Sequence, residues 1–265
     1  MRSSFLAVPK PVLWQIKVSH YSEKVRWALD YKSVEHERKA PPPGGHMLVA
    51  LAKTRGGSKT FPLLDLDGRT YGDSTEIIAA LEERFPEPPL YPEDPADRRR
   101  ALELEDWFDE EIGPHPRLLG WHEIIRDPEA TDRLLESGLV GPIRRGGPAV
   151  RAAMGTFLQL RYGVRSDEAA QRAKTKIETA FDRIESELDG REYLVGGRFG
   201  VADLTAAALL YPVVLPPEGP QIPGEPPPAL TAFRDSLAER PGFKWVGEMF
   251  RRHRSRGAAK AAAAA

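Results

Sequence analysis

The sequence contains no cysteine among its 265 residues. Disulfide bonds, thiolate metal sites and catalysis by a protein thiol are therefore excluded, and any sulfur chemistry must come from a ligand. An excess of charge of one sign is also lacking, because 38 Lys and Arg residues face 39 Asp and Glu residues. A formal net charge of -1 gives no electrostatic footprint for a nucleic acid or an anionic membrane, so we expect neither as a partner.

Long apolar runs are missing too. No stretch approaches the roughly 20 uninterrupted apolar residues of a membrane-spanning helix, and the first eleven residues lack the apolar core of a signal peptide. We therefore expect a cytoplasmic protein. The run from Ala258 to Ala265 is low-complexity sequence, and we expect residues 251–265 to form a disordered tail.

The first third of the chain alternates between strand and helix patterns. Val12–Lys17 alternates apolar and polar residues, as a half-buried strand does, and Tyr21–Tyr31 has apolar residues at helical spacing. The charged face of that helix consists of Glu23, Lys24 and Arg26. Asp67 and Gly68 predict a two-residue hairpin turn with positive φ. The expected order is βαβαββα, with strands at 12–17, 34–39, 61–65 and 69–71 and helices at 21–31, 47–52 and 73–85.

Prolines at positions 86, 88, 89, 92 and 95 predict a stiff extended connector. We therefore expect one domain at 1–88, a linker at 89–95 and a second domain at 96–250. The second domain is patterned as helices, expected at 97–112, 132–139, 150–160, 167–188, 202–210 and 230–250. The sequence Gly113-Pro114-His115-Pro116 is expected to break the first of these helices.

The first of three chemically informative motifs is Ser19-His20-Tyr21-Ser22-Glu23-Lys24-Val25-Arg26, which spans the end of strand one and the start of helix one. Free backbone N–H groups and the positive end of the helix dipole point at whatever occupies this turn. A thiolate would be stabilised there.

The second motif is Phe61-Pro62, which opens the third strand. A proline at a strand start donates no ladder hydrogen bond, and a cis peptide bond there would expose the backbone of Phe61 to an extended peptide ligand. The alternative is a trans proline that starts an edge strand. The sequence leaves the isomer open.

The third motif is Gly72-Asp73-Ser74-Thr75-Glu76, at the start of the third helix. Asp73 is expected to cap that helix. In addition, the hydroxyl and backbone N–H of Ser74 could bind a ligand carboxylate, while Asp73 accepts a hydrogen bond from a ligand amino group.

Together, in this order and on these elements, the motifs resemble those of the cytosolic glutathione transferases. In that family a serine or cysteine motif ending in Lys-Val-Arg follows the first strand, a cis proline opens the third, and Glu/Asp-Ser starts the third helix. A fourth match, Phe199-Gly200-Val201-Ala202-Asp203-Leu204, resembles the family's capping box in the helical domain. The resemblance implies an α/β plus all-α protein, with a thioredoxin-like domain followed by a helical domain.

The resemblance to the serine-type subfamilies implies glutathione as co-substrate, with Ser19 donating a hydrogen bond to its sulfur. Lowering a thiol pKa from about 8.5 to about 6.5 requires roughly 2.7 kcal/mol of preference for the thiolate. One hydrogen bond to a charged group, about 1.5–3 kcal/mol, plus a helix-dipole contribution near 1 kcal/mol can supply it. Ser22 and Tyr21 remain alternatives for this role, because helix starts are placed to within two to four residues.

Glutathione itself would be held by Phe61, Pro62, Asp73 and Ser74. The reaction implied is attack of the thiolate on a small hydrophobic electrophile, bound between the domains of a homodimer's subunit. The candidate wall residues are Trp107, Phe108, His115, Trp121 and Tyr162. No metal is expected, since no HExxH spacing exists. The alternatives are a non-catalytic ligand-binding or interaction module, and a specialised glutathione-dependent isomerase, dehalogenase or ether-cleaving enzyme.

Overall fold

The computed structural model describes residues 9–42, 45–137, 147–221 and 224–254. The first domain has the predicted βαβαββα order of a thioredoxin-like fold. Its elements are β1 (Val12–Trp14), α1 (His20–Tyr31), β2 (Glu37–Lys39), α2 (His46–Lys53), β3 (Leu63–Leu66), β4 (Arg69–Tyr71) and α3 (Ser74–Arg84). Asp67 and Gly68, between β3 and β4, have φ angles of 48° and 82°. The predicted hairpin turn is therefore confirmed.

The four strands form one sheet in the order β2-β1-β3-β4. Strand β2 runs parallel to β1, whereas β3 runs antiparallel to both β1 and β4. Trp14 at the end of β1 pairs with Leu63 at the start of β3, and Tyr71 at the end of β4 pairs with Leu64. The segments after β1, before β3 and after β4 therefore lie at the same end of the sheet.

The second domain is helical in the part that the structure describes. Its elements are α4 (Pro95–Trp107), which continues into a π-helical turn (Phe108–Ile112), α5 (Pro114–Arg126), α6 (Pro128–Glu136), α7 (Pro148–Tyr162), α8 (Asp167–Leu188), α9 (Val201–Val214), α10 (Pro228–Leu237) and α11 (Pro241–Met249), followed by a second π-helical turn (Phe250–Arg254). Helix α8 has the predicted bounds.

Prolines occupy the first position of several helices in this domain. Helix α5, with Pro114 at its first position, was not predicted, and the helix predicted over 230–250 is divided at Pro241 into α10 and α11. The first turn of a helix tolerates proline, because its N–H groups have no intrahelical partner and φ is already helical.

Helix α1 packs against α3 and against α9, the central helix of the second domain, and nearly every residue of α9 is buried. The charged face of α1 is buried as well: Glu23, Lys24 and Arg26 are all at most 5% exposed. A sequence pattern that is typical of a solvated face here marks the contact between the two domains. Each of these three charges is consequently ion-paired.

The predicted capping box at the start of α9 is confirmed. Asp203 Oδ2 accepts a hydrogen bond from the N–H of Gly200 at 2.9 Å, and Oδ1 accepts a further one from the N–H of Leu194 at 2.8 Å. Phe199 and Leu204 are both buried in the core. The Asp203 carboxylate thus fixes the loop before α9 as well as the helix start.

The chain remains ordered past the predicted boundary at residue 250. Arg254 ends the second π-helical turn with its side chain buried, and it donates to Glu23 at 2.6 Å and to Asp30 at 2.8 Å. The expectation of a tail from residue 251 is therefore wrong for residues 251–254, whereas 255–265 lie outside the described residues. Within the described ranges, the helices are too short or too polar to cross a membrane.

Candidate active site

The three motifs meet at the end of the sheet where β1 finishes. Ser19 follows β1 and caps α1, Phe61 and Pro62 precede β3 with a cis peptide bond between them, and Asp73 follows β4 and caps α3. The antiparallel register places these segments side by side. One strand end and two helix N-termini, each with the positive end of a helix dipole, therefore surround a common point.

Ser19 occupies the N-cap of α1 in an extended conformation, with φ -79° and ψ 125°. Its Oγ accepts a hydrogen bond from the N–H of Ser22 at 3.3 Å, and the residue is half-buried. In this bond the hydroxyl acts only as an acceptor. Its proton is available to a ligand atom beside the first turn of α1.

The two alternatives to Ser19 are less suited to the role, because one is fully buried and the other already donates its proton. Ser22 is fully buried, and its Oγ accepts a hydrogen bond from the N–H of Ile16 at 3.3 Å. The Tyr21 hydroxyl donates its proton to the backbone oxygen of Asp109 at 2.8 Å. Burial raises the pKa of Tyr21, so its phenol stays protonated.

His20 fastens the turn to the second domain. Its ring is buried, and burial, together with the positive charge of Arg117, lowers the pKa of His20 to about 3. The neutral ring donates from Nε2 to the backbone oxygen of Gly113 at 2.8 Å. His20 thus positions the turn through a hydrogen bond to the second domain.

At the start of α3, Asp73 has its predicted capping role. Its Oδ1 accepts from the N–H of Thr75 at 2.8 Å and from that of Glu76 at 3.3 Å. Ser74, the next residue, is buried with 3% of its surface exposed. Its hydroxyl therefore faces an enclosed environment at the helix N-terminus.

A buried ionic cluster, not predicted from the sequence, joins α1, α3 and the second domain. Lys24 Nζ lies 2.7 Å from Asp109 Oδ2, 2.9 Å from Glu105 Oε1 and 3.0 Å from Thr75 Oγ1. The Thr75 hydroxyl in turn donates to Asp109 Oδ2 at 2.6 Å. We call Lys24, Thr75, Glu105 and Asp109 the interdomain cluster; it holds the residue after Ser74 against the helix that carries Asp109.

The predicted wall residues lie in different environments, and one of them approaches the site. Phe108 is fully buried in the core and cannot line an open cleft. Trp107 lies under the guanidinium of Arg183, 5.2 Å from its ring centroid, on the side of α8. Tyr162 does approach the site, because Arg117 stands 4.7 Å from its ring centroid and 5.7 Å from that of Tyr21.

The remaining two wall candidates, His115 and Trp121, both belong to α5. Lys176 and Arg172, both on α8, influence the pKa of His115, which burial lowers. His115 therefore lies toward α8. Trp121 is half-buried in the middle of α5. The described residues contain no group of three or more metal-ligating side chains that could hold a metal ion.

A thioredoxin-like domain with a cis proline before β3, followed by an all-helical domain packed on α1, defines the glutathione S-transferase fold. The comparison with protein families agrees: the family model "Glutathione S-transferase, N-terminal domain" matches residues 13–89, and "Glutathione S-transferase, C-terminal domain" matches residues 148–241. The chain belongs to the glutathione S-transferase family.

Curated relatives match over part of their length. A probable maleylacetoacetate isomerase 1 from Drosophila melanogaster is 33% identical over 99 residues, which are 36% of this chain and 40% of the relative. The maleylacetoacetate isomerase of Rattus norvegicus is 34% identical over 112 residues, 41% of this chain and 52% of the relative. The chain thus spans about half the length of these relatives.

Among solved structures, a glutathione S-transferase from Methylobacterium radiotolerans in complex with glutathione sulfonate has a TM-score of 0.56 and 23% sequence identity. The match covers 89% of this chain and 93% of that one. At this identity the likeness shows the fold.

Proposed function

We propose that the protein is a glutathione-dependent enzyme in which Ser19 stabilises the glutathione thiolate. The observation that carries this proposal is the placement of the Ser19 hydroxyl at the N-terminus of α1, half-buried and with its proton free to be donated. The competing hydroxyl of Ser22 is fully buried, and that of Tyr21 already donates its proton to the backbone oxygen of Asp109. The protein is a serine-type member of the family in this proposal.

Glutathione would extend from Ser19 toward the start of α3. The backbone of Phe61, before Pro62, would pair with the peptide, and the buried Ser74 hydroxyl would donate to its γ-glutamyl carboxylate at a helix N-terminus. Asp73 Oδ1 is engaged in capping, which leaves Oδ2 to accept from the ligand's ammonium group.

In the proposed reaction, the thiol proton is released to solvent, because the hydrogen bond and the dipole stabilise the anion without a base. The thiolate sulfur then forms a bond to an electrophilic carbon, and the leaving group departs with its electron pair. Since the chain has no cysteine, no mixed disulfide with a protein thiol can form.

A second candidate function is a glutathione-dependent isomerase, which the matched maleylacetoacetate isomerases favour. The two functions differ in the fate of the thiol. A transferase consumes one glutathione for each product molecule, whereas an isomerase returns it. A thiol titration during turnover therefore distinguishes them.

Binding without turnover across varied electrophiles would favour a non-catalytic module. The homodimer stays a prediction, and analytical sedimentation of the purified chain tests it by measuring the oligomeric state.

Binding of glutathione is the first test. We expect a calorimetric titration to detect binding, and we expect Ser74→Ala to weaken it about 10- to 100-fold, which corresponds to the loss of one hydrogen bond to a charged group, about 1.5–3 kcal/mol. Ser236→Ala, on α10, removes a hydroxyl that donates within its own helix, and it should leave the affinity unchanged. Absence of binding by the unmodified chain, or equal affinity in the Ser74 variant, would contradict the proposal.

A further inference from the structure

Arg117 places a positive charge beside the proposed thiolate site. The residue lies in the first turns of α5, and its guanidinium stands near two aromatic rings, 5.7 Å from the centroid of Tyr21 and 4.7 Å from that of Tyr162. Tyr21 belongs to the first turn of α1, which Ser19 caps. The charge of Arg117 is also felt at His20, whose pKa it lowers.

No carboxylate neutralises this guanidinium within the part of the chain that the structure describes, and its Nε is buried without a hydrogen-bond partner. The two buried arginines near α1 differ in this respect. Arg26 donates to Glu23, and Arg254 donates to Glu23 and Asp30. Partial desolvation of an unpaired guanidinium costs free energy unless an anion binds to it.

The groups around Arg117 leave it free to bind such an anion. His20 is neutral, and the nearby carboxylate of Asp109 is already shared by Lys24 and Thr75 in the interdomain cluster. Contacts with the rings of Tyr21 and Tyr162 restrict the planar fork of the guanidinium, which matches the two oxygens of a carboxylate. The fork is therefore positioned before any ligand arrives.

We propose that Arg117 is a binding residue for a carboxylate carried by the electrophile, so that the substrates are unsaturated or aromatic carbon electrophiles with an anionic group. This inference rests on the proposed function, since the electrophile must lie between Arg117 and the sulfur at Ser19. Tyr21 and Tyr162 supply the apolar faces for the ring or double bond of such a molecule.

The test uses a matched pair of electrophiles, 4-chloro-3,5-dinitrobenzoate and its methyl ester, with glutathione at saturation. In both, the thiolate forms the carbon–sulfur bond and chloride leaves with the electron pair. Relative to the uncatalysed rates, we expect the acid to be favoured at least tenfold. Arg117→Met should lower kcat/KM for the acid 10- to 30-fold and leave kcat/KM for the ester within about twofold. Arg117→Lys should have a kcat/KM for the acid between those of the unmodified chain and Arg117→Met.

A binding measurement separates this inference from the proposed function. Calorimetry with 3,5-dinitrobenzoate in the presence of glutathione should show binding that Arg117→Met abolishes and that Arg161→Met retains. Arg161 also stands against the Tyr162 ring, at 4.9 Å, but is exposed. Anion binding lost in Arg117→Met, without turnover of either electrophile, would support the carboxylate site and contradict the enzymatic proposal.

Three results would overturn the inference. One is an equal loss for acid and ester in Arg117→Met, which would indicate a structural role. Another is a raised KM for glutathione with an unchanged acid-to-ester ratio, which would assign Arg117 to a carboxylate of glutathione. The third is unaltered binding of 3,5-dinitrobenzoate in Arg117→Met.

Discussion

Replacing Ser19 by alanine is expected to lower kcat/KM for glutathione-dependent turnover about 10- to 100-fold at pH 7. The variant loses one hydrogen bond to the thiolate, about 1.5–3 kcal/mol, and each 1.4 kcal/mol corresponds to a factor of ten. Because the bond stabilises the charged form of the sulfur, its loss raises the thiol pKa by about 1–2 units. Steady-state kinetics at saturating electrophile measure this effect.

The pH dependence identifies the cause of that loss. In the unmodified protein, ionisation of the bound thiol should be complete well below pH 8. In Ser19→Ala, kcat at saturating glutathione should keep rising through pH 8 and approach the unmodified kcat at high pH. A variant that is slow at every pH by the same factor would have lost positioning of the sulfur instead. The absorbance of the thiolate near 240 nm, titrated in the binary complex, reports the same pKa directly.

Two more variants separate the hydroxyl from the cap. Alanine at an N-cap costs about 0.5–2 kcal/mol of stability, whereas glycine costs only a few tenths. Ser19→Gly should therefore be nearly as stable as the unmodified chain and as inactive as Ser19→Ala, and Ser19→Thr should recover activity. Unchanged turnover in Ser19→Ala, together with inactivity of Ser22→Ala, would assign the role to Ser22.

Much of the fold could be predicted because its signals are local. Strand alternation, the turn at Asp67-Gly68 and the helical periodicity of Asp167–Leu188 act over a few residues each. The helix predictions were wrong at two prolines, because the effect of a proline depends on its position in the helix. Pro114 and Pro241 occupy first positions, where no N–H is missed, but the sequence alone shows only that a proline is present.

The candidate site was predictable only as far as its motifs are contiguous. Ser19 and Asp73 are residue types that predict helix starts, and the strand order brings the two helix starts together. Arg117 and the interdomain cluster could not be found in this way, because their contacts join residues that lie 34 to 96 positions apart in the sequence and that meet only in the folded chain. The one sequence signal was Lys24, a charged residue inside the family's Lys-Val-Arg motif.

The interdomain cluster gives the largest expected effect on stability. Lys24 is fully buried; burial acts to lower its pKa, but the carboxylates of Glu105 and Asp109 more than offset this and raise it. Lys24→Met keeps most of the side-chain volume and removes the charge, which leaves two carboxylates buried without a cation. We expect the free energy of unfolding at pH 7 to fall by about 3–5 kcal/mol, measured by urea denaturation.

The exposed pair between Lys176 and Glu111 provides a matched control. Its two charges lie 2.8 Å apart, a separation similar to those in the cluster, but both side chains face solvent. Lys176→Met should therefore change the free energy of unfolding by less than about 1 kcal/mol. A similar loss in both lysine variants would show that desolvation does not determine the strength of the buried cluster.

The loss in Lys24→Met should shrink as the pH falls. Burial already raises the pKa of Glu105, and Lys24 is the main group that opposes this rise. Without the lysine, the folded-state pKa of Glu105 moves further above its unfolded value, so the variant is penalised at neutral pH and recovers as the carboxyl protonates on acidification. A loss that is constant from pH 8 to pH 5 would mean that packing, and not charge, holds the domains together at this point. Because Thr75 shares the cluster with Lys24 and follows Ser74, a raised KM for glutathione should accompany the lower stability.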